Sequence, residues 1–123
     1  MAPAYFAILN QKLLLHTNSN LAKKENAMHM VTRTYSGTGA KELFDLLEKR
    51  KGEVKEVIGA VHGIKSYAMV RTHDGGYTVT LCNDKAGTDD SVKVAAAWIK
   101  KNAPDLKVHA PVVAEGDVIQ TLN

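Results

Sequence analysis

Two alternating runs, Ile64 to Arg71 and Tyr77 to Asn83, flank His73-Asp74-Gly75-Gly76 and together predict a β-hairpin. With a loop from His73 to Gly76, Thr72 pairs with Tyr77. The ladder then runs Arg71 with Thr78, Val70 with Val79, Met69 with Thr80, Ala68 with Leu81 and Tyr67 with Cys82. Alternation sorts these residues onto two faces. Val70, Val79, Ala68, Leu81 and Ile64 share an apolar one, which is expected to carry helices. Arg71, Thr78, Met69, Thr80, Tyr67 and Cys82 share a mixed one, and a slip of one residue would scramble the division.

Upstream, Val31-Thr32-Arg33-Thr34-Tyr35 is β-branched and aromatic and predicts a strand closed by Ser36-Gly37-Thr38-Gly39. Its inward face is either Val31, Arg33 and Tyr35 or Met30, Thr32 and Thr34, since neither set is wholly apolar. Leu43, Phe44, Leu47, Val54 and Ile58 then recur at helical spacing, predicting one long amphipathic helix from Ala40 to a stop at Gly59. Gly52 interrupts that helix at a cost of about 1 kcal/mol relative to alanine, enough to kink it. After the hairpin, Thr88-Asp89-Asp90-Ser91 reads as the capped start of a second helix. Its buried stripe is Val92, Ala95, Ala96 and Ile99, and Trp98 flanks that stripe as a core edge or a lid. Asn102 and Pro104 end it. The tail is strand-like in two pieces, Val108 to Val113 and Val118 to Thr121, with Pro111 arguing for a sheet edge.

The order strand, helix, strand, strand, helix, strand predicts an α+β, ferredoxin-like βαββαβ sheet with both helices on one face. The other face has no helix left to cover it. Tyr67, Met69 and Cys82 are expected there, so a second copy of the chain is expected to pack on them, making a dimeric α/β barrel.

Residues 1–27 differ in character from the rest of the chain. Short apolar patches, Tyr5 to Leu9 and Leu13 to Leu15, are broken by polar residues, and Thr17 to Asn26 is rich in Asn and Lys. A secretory signal fits poorly, because the start lacks a cationic region and no small-residue cleavage site is evident. The expectation is a loosely ordered extension with one weak helix ahead of a domain over residues 28–123. Met28 and Met30 also stand where translation of a compact domain could begin.

Composition changes this picture little. The 123 residues give room for one domain, and 45% hydrophobic with 24% charged residues is the make-up of an ordinary globular chain. Of the formal charge of +3, the larger part comes from Lys12, Lys23 and Lys24 against Glu25. The remainder is nearly neutral, so no nucleic-acid footprint falls on the folded part. A single cysteine forms no internal disulfide and fits no zinc pattern, which accords with a reducing, cytoplasmic setting. Nothing approaches the run of about 20 apolar residues that a membrane span needs.

Thr34-Tyr35-Ser36-Gly37, the long helix, His62-Gly63-Ile64-Lys65-Ser66-Tyr67, Arg71-Thr72 before Asp74-Gly75-Gly76, and Glu115-Gly116-Asp117-Val118 resemble the small dimeric α/β-barrel proteins of the antibiotic biosynthesis monooxygenase-like (ABM) group, over roughly residues 28 to 122. In that group some members oxidise aromatic polyketides with oxygen and no prosthetic group, some degrade haem, and many have no assigned reaction. The resemblance implies a cytoplasmic homodimer holding a small, partly aromatic ligand between sheet and helices, with no cofactor in any oxidation. The haem-degrading branch relies on an Asn, a Trp and a His. Here Asn83 lies at a strand end, Trp98 on the second helix, and no histidine has a matching context, so none of those roles is carried over.

On the mixed face, Tyr67, Arg71, Met69, Thr80 and Cys82 are the candidate ligand-binding residues, joined by His62 at the mouth of the second strand and by Trp98. A phenol and a guanidinium can hold and polarise an oxygenated aromatic. The competing reading makes Tyr67 and Arg71 dimer-interface residues, Cys82 a small buried hydrophobe and His62 a loop residue. His73 and His109 read as solvated. Met28-His29-Met30 alternates faces and cannot close on one metal ion. Gly37-Thr38-Gly39 lacks the remainder of a phosphate loop, and Gly76-Tyr77-Thr78-Val79-Thr80-Leu81 lacks the aromatics of an RNA-recognition strand. A non-catalytic ligand-binding or stress-related dimer of the same fold is the alternative function.

Overall fold

The computed structural model describes residues 27–122. The expected N-terminal extension therefore lies outside the described residues, apart from Ala27. The elements run β1 (His29–Ser36), α1 (Ala40–Lys49), α2 (Lys51–Gly59), β2 (Ile64–Thr72), β3 (Gly75–Cys82), α3 (Lys85–Asn102) and β4 (Val112–Asp117). The four strands form one antiparallel sheet in the order β2-β3-β1-β4. This is the ferredoxin-like α+β arrangement, with β3 splitting the β1-helix-β2 unit.

The hairpin is tighter than its glycines suggest. Thr72 pairs with Gly75 and Arg71 with Gly76, leaving a two-residue loop at His73-Asp74. Gly75 and Gly76 lie in the strand because other atoms come close to them. A Cβ on Gly75 would sit 2.4 Å from the Tyr35 carbonyl oxygen, and one on Gly76 would sit 2.4 Å from Phe44 Cε2. The register thus moves by two residues from the expected one, an even slip that keeps every hairpin side chain beyond the bulge on its predicted face. Ile64 is the exception. A bulge between Ile64 and Ser66 turns it to the Cys82 side, where it packs against the core.

The helices lie on the mixed face, which overturns the expectation that they cover the apolar one. Thr78, Thr80, Cys82 and Gly76 on β3 are buried beneath them, and so are His29, Val31, Arg33 and Tyr35 on β1. The reason is volume. Small residues on β3 leave depth for Leu43, Phe44, Leu47, Val54 and Ile58 on the helices, and the bulk of the core comes from the helix side. Tyr67 and Met69 pack against this core and are not on the uncovered side. The uncovered side carries Met30, Val70, Tyr77, Val79 and Leu81, all partly exposed.

The long helix is two helices. Arg50 leaves helical geometry at φ −113° and ψ 30°, ahead of the Gly52 where a kink was expected. The break lets Arg50 lie over the Trp98 ring, 5.1 Å from its centroid, while its Nη2 donates to Glu53 Oε1 at 2.8 Å. The α3 helix starts a turn earlier than predicted, because Asp84 rather than Thr88 caps it, its Oδ1 accepting from the Gly87 amide at 3.1 Å. The buried stripe shifts accordingly to Gly87, Thr88, Ser91, Ala95 and Trp98, and Ala96 is exposed. Thr88, freed from capping, donates its hydroxyl to the Lys85 carbonyl. Its Oγ1 therefore accepts from His29 Nδ1 at 2.7 Å, which ties β1 to α3. The tail forms one strand through Glu115-Gly116 rather than two pieces around it, and it is an edge strand as Pro111 indicated.

Candidate functional site

A cavity lies between the sheet and the helices, and its polar groups come chiefly from the strands. Arg33 and Tyr35 on β1, Tyr67 on β2 and Thr78 on β3 point into it, and Trp98 on α3 walls it together with aliphatic residues of the helices. Arg33 and Thr78 are direct cross-strand neighbours, so their side chains stand next to each other on the floor. The innermost void is about 20 Å³, enough for one water molecule. Two grooves adjoin it. One, of about 570 Å³, runs between α2 and β2 and shares Ile58 and Tyr67 with the cavity. The other, of about 620 Å³, runs between α3 and the chain leading into β4 and shares Arg33, Tyr35 and Ile99.

The electrostatics of the cavity are one-sided. Arg33 is 4% exposed and donates from Nη1 to the Tyr35 hydroxyl at 3.3 Å, and among the described residues no carboxylate forms an ion pair with it. Among the described residues no Asp or Glu lines the cavity. Burial pushes the Tyr67 phenol above its ordinary value near 10.0, an effect only partly offset by the nearby Arg33 charge. Tyr67 is thus a protonated donor at neutral pH. Thr78 Oγ1 is buried with no hydrogen-bond partner among the described residues, as is Thr80 Oγ1 further along β3. Trp98 is held in place from outside, where its Nε1 donates to Glu53 Oε2 at 3.1 Å and Arg50 covers its face. The cavity therefore presents a guanidinium, a phenol and an unpaired hydroxyl beside an aromatic wall. That set can bind and polarise an oxygen-bearing ligand.

Of the residues singled out from sequence, Tyr67 and Trp98 line the cavity and Met69 borders the groove between α2 and β2. Arg71 does not converge with them. It lies on the surface, its Nη1 3.1 Å from Asp45 and its Nη2 2.9 Å from Glu48, because β2 ends beside α1 at that point. Thr80 and Cys82 are buried under the helices away from the cavity, and Cys82 packs against Gly87. Burial, with Asp84 and Asp90 nearby, pushes the Cys82 thiol up, the opposite of what a nucleophile needs. His62 is exposed. Sequence reasoning passed over Arg33, Tyr35 and Thr78 as site residues. The signal was present in an arginine placed between Val31 and Tyr35 on one side of an apolar strand, but alternation alone did not say which side was covered. Among the described residues no group of three His, Cys, Asp or Glu stands close enough to hold a metal ion, and no helix is long and apolar enough to cross a membrane.

No family model matches this sequence, and no curated protein does. Solved structures do match. A protein of unknown function from Nitrosomonas europaea superposes with a TM-score of 0.59 at 16% identity, over 81% of this chain and 96% of that one. A candidate antibiotic biosynthesis monooxygenase from Caulobacter crescentus gives 0.58 at 21% identity, over 85% and 100%. A monooxygenase of Streptomyces coelicolor, in complex with the ligand nanaomycin D, gives 0.53 at 16% identity, over 80% and 93%. At such identities the likeness is one of architecture: this chain has the ferredoxin-like α+β fold of the small ABM-like proteins.

Proposed function

We propose that this protein is a homodimer that binds a small, oxygen-bearing aromatic ligand between sheet and helices and oxidises it with dioxygen, without a cofactor. The observation that carries the reading is the cavity itself, where Arg33, Tyr67 and Thr78 meet beside Trp98. Phenolate or enolate character in the substrate is what permits direct reaction with dioxygen. A protonated phenol beside the ring oxygen favours that charge, and a fixed guanidinium in the same cavity adds to it through the field. For a hydroquinone the balanced reaction consumes one dioxygen and yields a hydroxyquinone and water, all electrons coming from the substrate. The monooxygenase of similar fold in complex with the ligand nanaomycin D supports the choice of a small organic ligand.

The dimer belongs to the same proposal, now placed on the other side of the sheet. Met30, Val70, Tyr77, Val79 and Leu81 form a partly exposed apolar field that no element of the described chain covers. A second copy packed there, sheet to sheet, completes a barrel and leaves each cavity within its own subunit. The alternative, a non-catalytic ligand-binding dimer, uses the same cavity.

Oxygen uptake with a panel of dihydroxy-aromatic compounds separates the two. Turnover that falls in Tyr67→Phe supports the enzyme. Saturable binding without uptake supports the binding protein, and the absence of both refutes the cavity's role.

A further inference from the structure

Among the described residues, Arg33 stands out as the one charged group lining a cavity to which none contributes a compensating charge. A buried guanidinium without a carboxylate is costly unless something supplies the counter-charge. The groove between α3 and β4 reaches Arg33 directly, and among the described residues no Asp or Glu lines it. Its walls are apolar, from Val92, Ile99, Leu106 and Val113 among others, and its polar side chains besides Arg33 and Tyr35 are Lys100 and His109. Thr78 adds the second observation, a buried hydroxyl without a partner standing directly across the strands from Arg33.

We infer that the ligand is an organic anion, a carboxylate on an apolar or aromatic body. Its body lies in the α3–β4 groove, and its carboxylate is taken by the Arg33 guanidinium with the Thr78 hydroxyl as a further donor, which leaves the Tyr67 phenol for the ring oxygen. This rests on the proposed role of the cavity and adds to it the charge of the ligand and the side from which it enters. Charge complementarity selects the occupant. An acid gains the fork geometry of arginine and satisfies Thr78, while a neutral analogue of the same shape leaves Arg33 uncompensated.

The test is calorimetric titration of the full chain with 2-naphthoate and with its neutral counterpart 2-naphthalenemethanol, at fixed salt. A charge-assisted hydrogen bond corresponds to roughly 10- to 100-fold in affinity, so the acid is expected to bind at least about 10-fold tighter. Arg33→Gln is expected to erase that preference, whereas Arg71→Gln, on the surface, keeps it. Ala96→Trp, at an exposed α3 position lining the groove, is expected to weaken the acid by about 10-fold or more through blockage.

Equal affinity for acid and alcohol overturns the anion inference and leaves the cavity's role standing. Preference surviving in Arg33→Gln overturns the assignment to Arg33, and unchanged affinity in Ala96→Trp overturns the groove as the seat. No binding of either compound to the wild-type chain refutes both the inference and the role of the cavity. The comparison of acid with alcohol is made on the wild-type protein, so it holds even if a variant does not fold.

Discussion

Thr78 and Thr80 each bury a hydroxyl with no hydrogen-bond partner among the described residues, 2% and 1% exposed respectively. Replacing either by valine exchanges that hydroxyl for a methyl of nearly the same shape and keeps the β-branched side chain that suits a strand. No cavity opens and no partner is orphaned. An unbonded buried hydroxyl costs about 1–3 kcal/mol by protein mutational data, so each substitution is expected to stabilise the fold by about 1–2 kcal/mol. In a domain of this size that raises Tm by roughly 4–8 °C for each kcal/mol. The assay is urea unfolding followed by circular dichroism at fixed protein concentration, since the stability of the proposed dimer would depend on it. The midpoint should rise with no change in slope.

The two variants should part company in binding. Thr78→Val is expected to weaken 2-naphthoate because its hydroxyl faces the ligand, and Thr80→Val, outside the cavity, is expected to leave binding unchanged. Thr78 then represents stability given up for recognition. A loss of about 1 kcal/mol or more in both variants would refute the reasoning, by showing that these hydroxyls are satisfied in solution.

Three further outcomes are expected. Gly76→Ala should destabilise by about 1–3 kcal/mol in denaturant midpoint, since the new Cβ would lie 2.4 Å from Phe44 Cε2 and 2.5 Å from the Val70 carbonyl oxygen; an unchanged midpoint would mean that α1 yields without cost. Leu81→Lys, on the uncovered face, should give a folded monomer by sedimentation at micromolar concentration, and a persistent dimer would move the interface elsewhere. The Cys82 thiol, held above its ordinary value near 9.0 by burial and then by Asp84 and Asp90, keeps its proton in the native state when the unfolded chain has released it. Stability should therefore fall as pH rises above that ordinary value, and Cys82→Ala should flatten the decline. An identical alkaline slope in the variant would assign the titration to other groups.

The element order, the hairpin, the edge placement of the last strand and the ferredoxin-like topology were legible from the chain alone. Periodicity of two or 3.6 and turn residues are local properties, and they survive whatever packs around them. The even register slip at Gly75-Gly76 shows the limit. Glycines written as turn residues turned out to be places where Tyr35 and Phe44 approach the strand, a reason that lies far away along the chain. Arg50, likewise, breaks the helix just before the glycine that flagged it, where it covers the face of Trp98 on the distant α3 helix.

Which side of the sheet the helices would take was a matter for the tertiary structure. Alternation divides a strand into two sets but carries no sign, and the apolar set looked like the covered one. Volume decided otherwise. The small side chains of Thr78, Thr80 and Cys82 admit the large residues of α1, α2 and α3, and the more apolar side is left uncovered by the described residues. That choice also made the candidate site, because it carried Arg33 inward with Thr78 and Tyr67. The residues and their two-fold alternation were written in the sequence, but a charge becomes buried and uncompensated only when distant segments close over it.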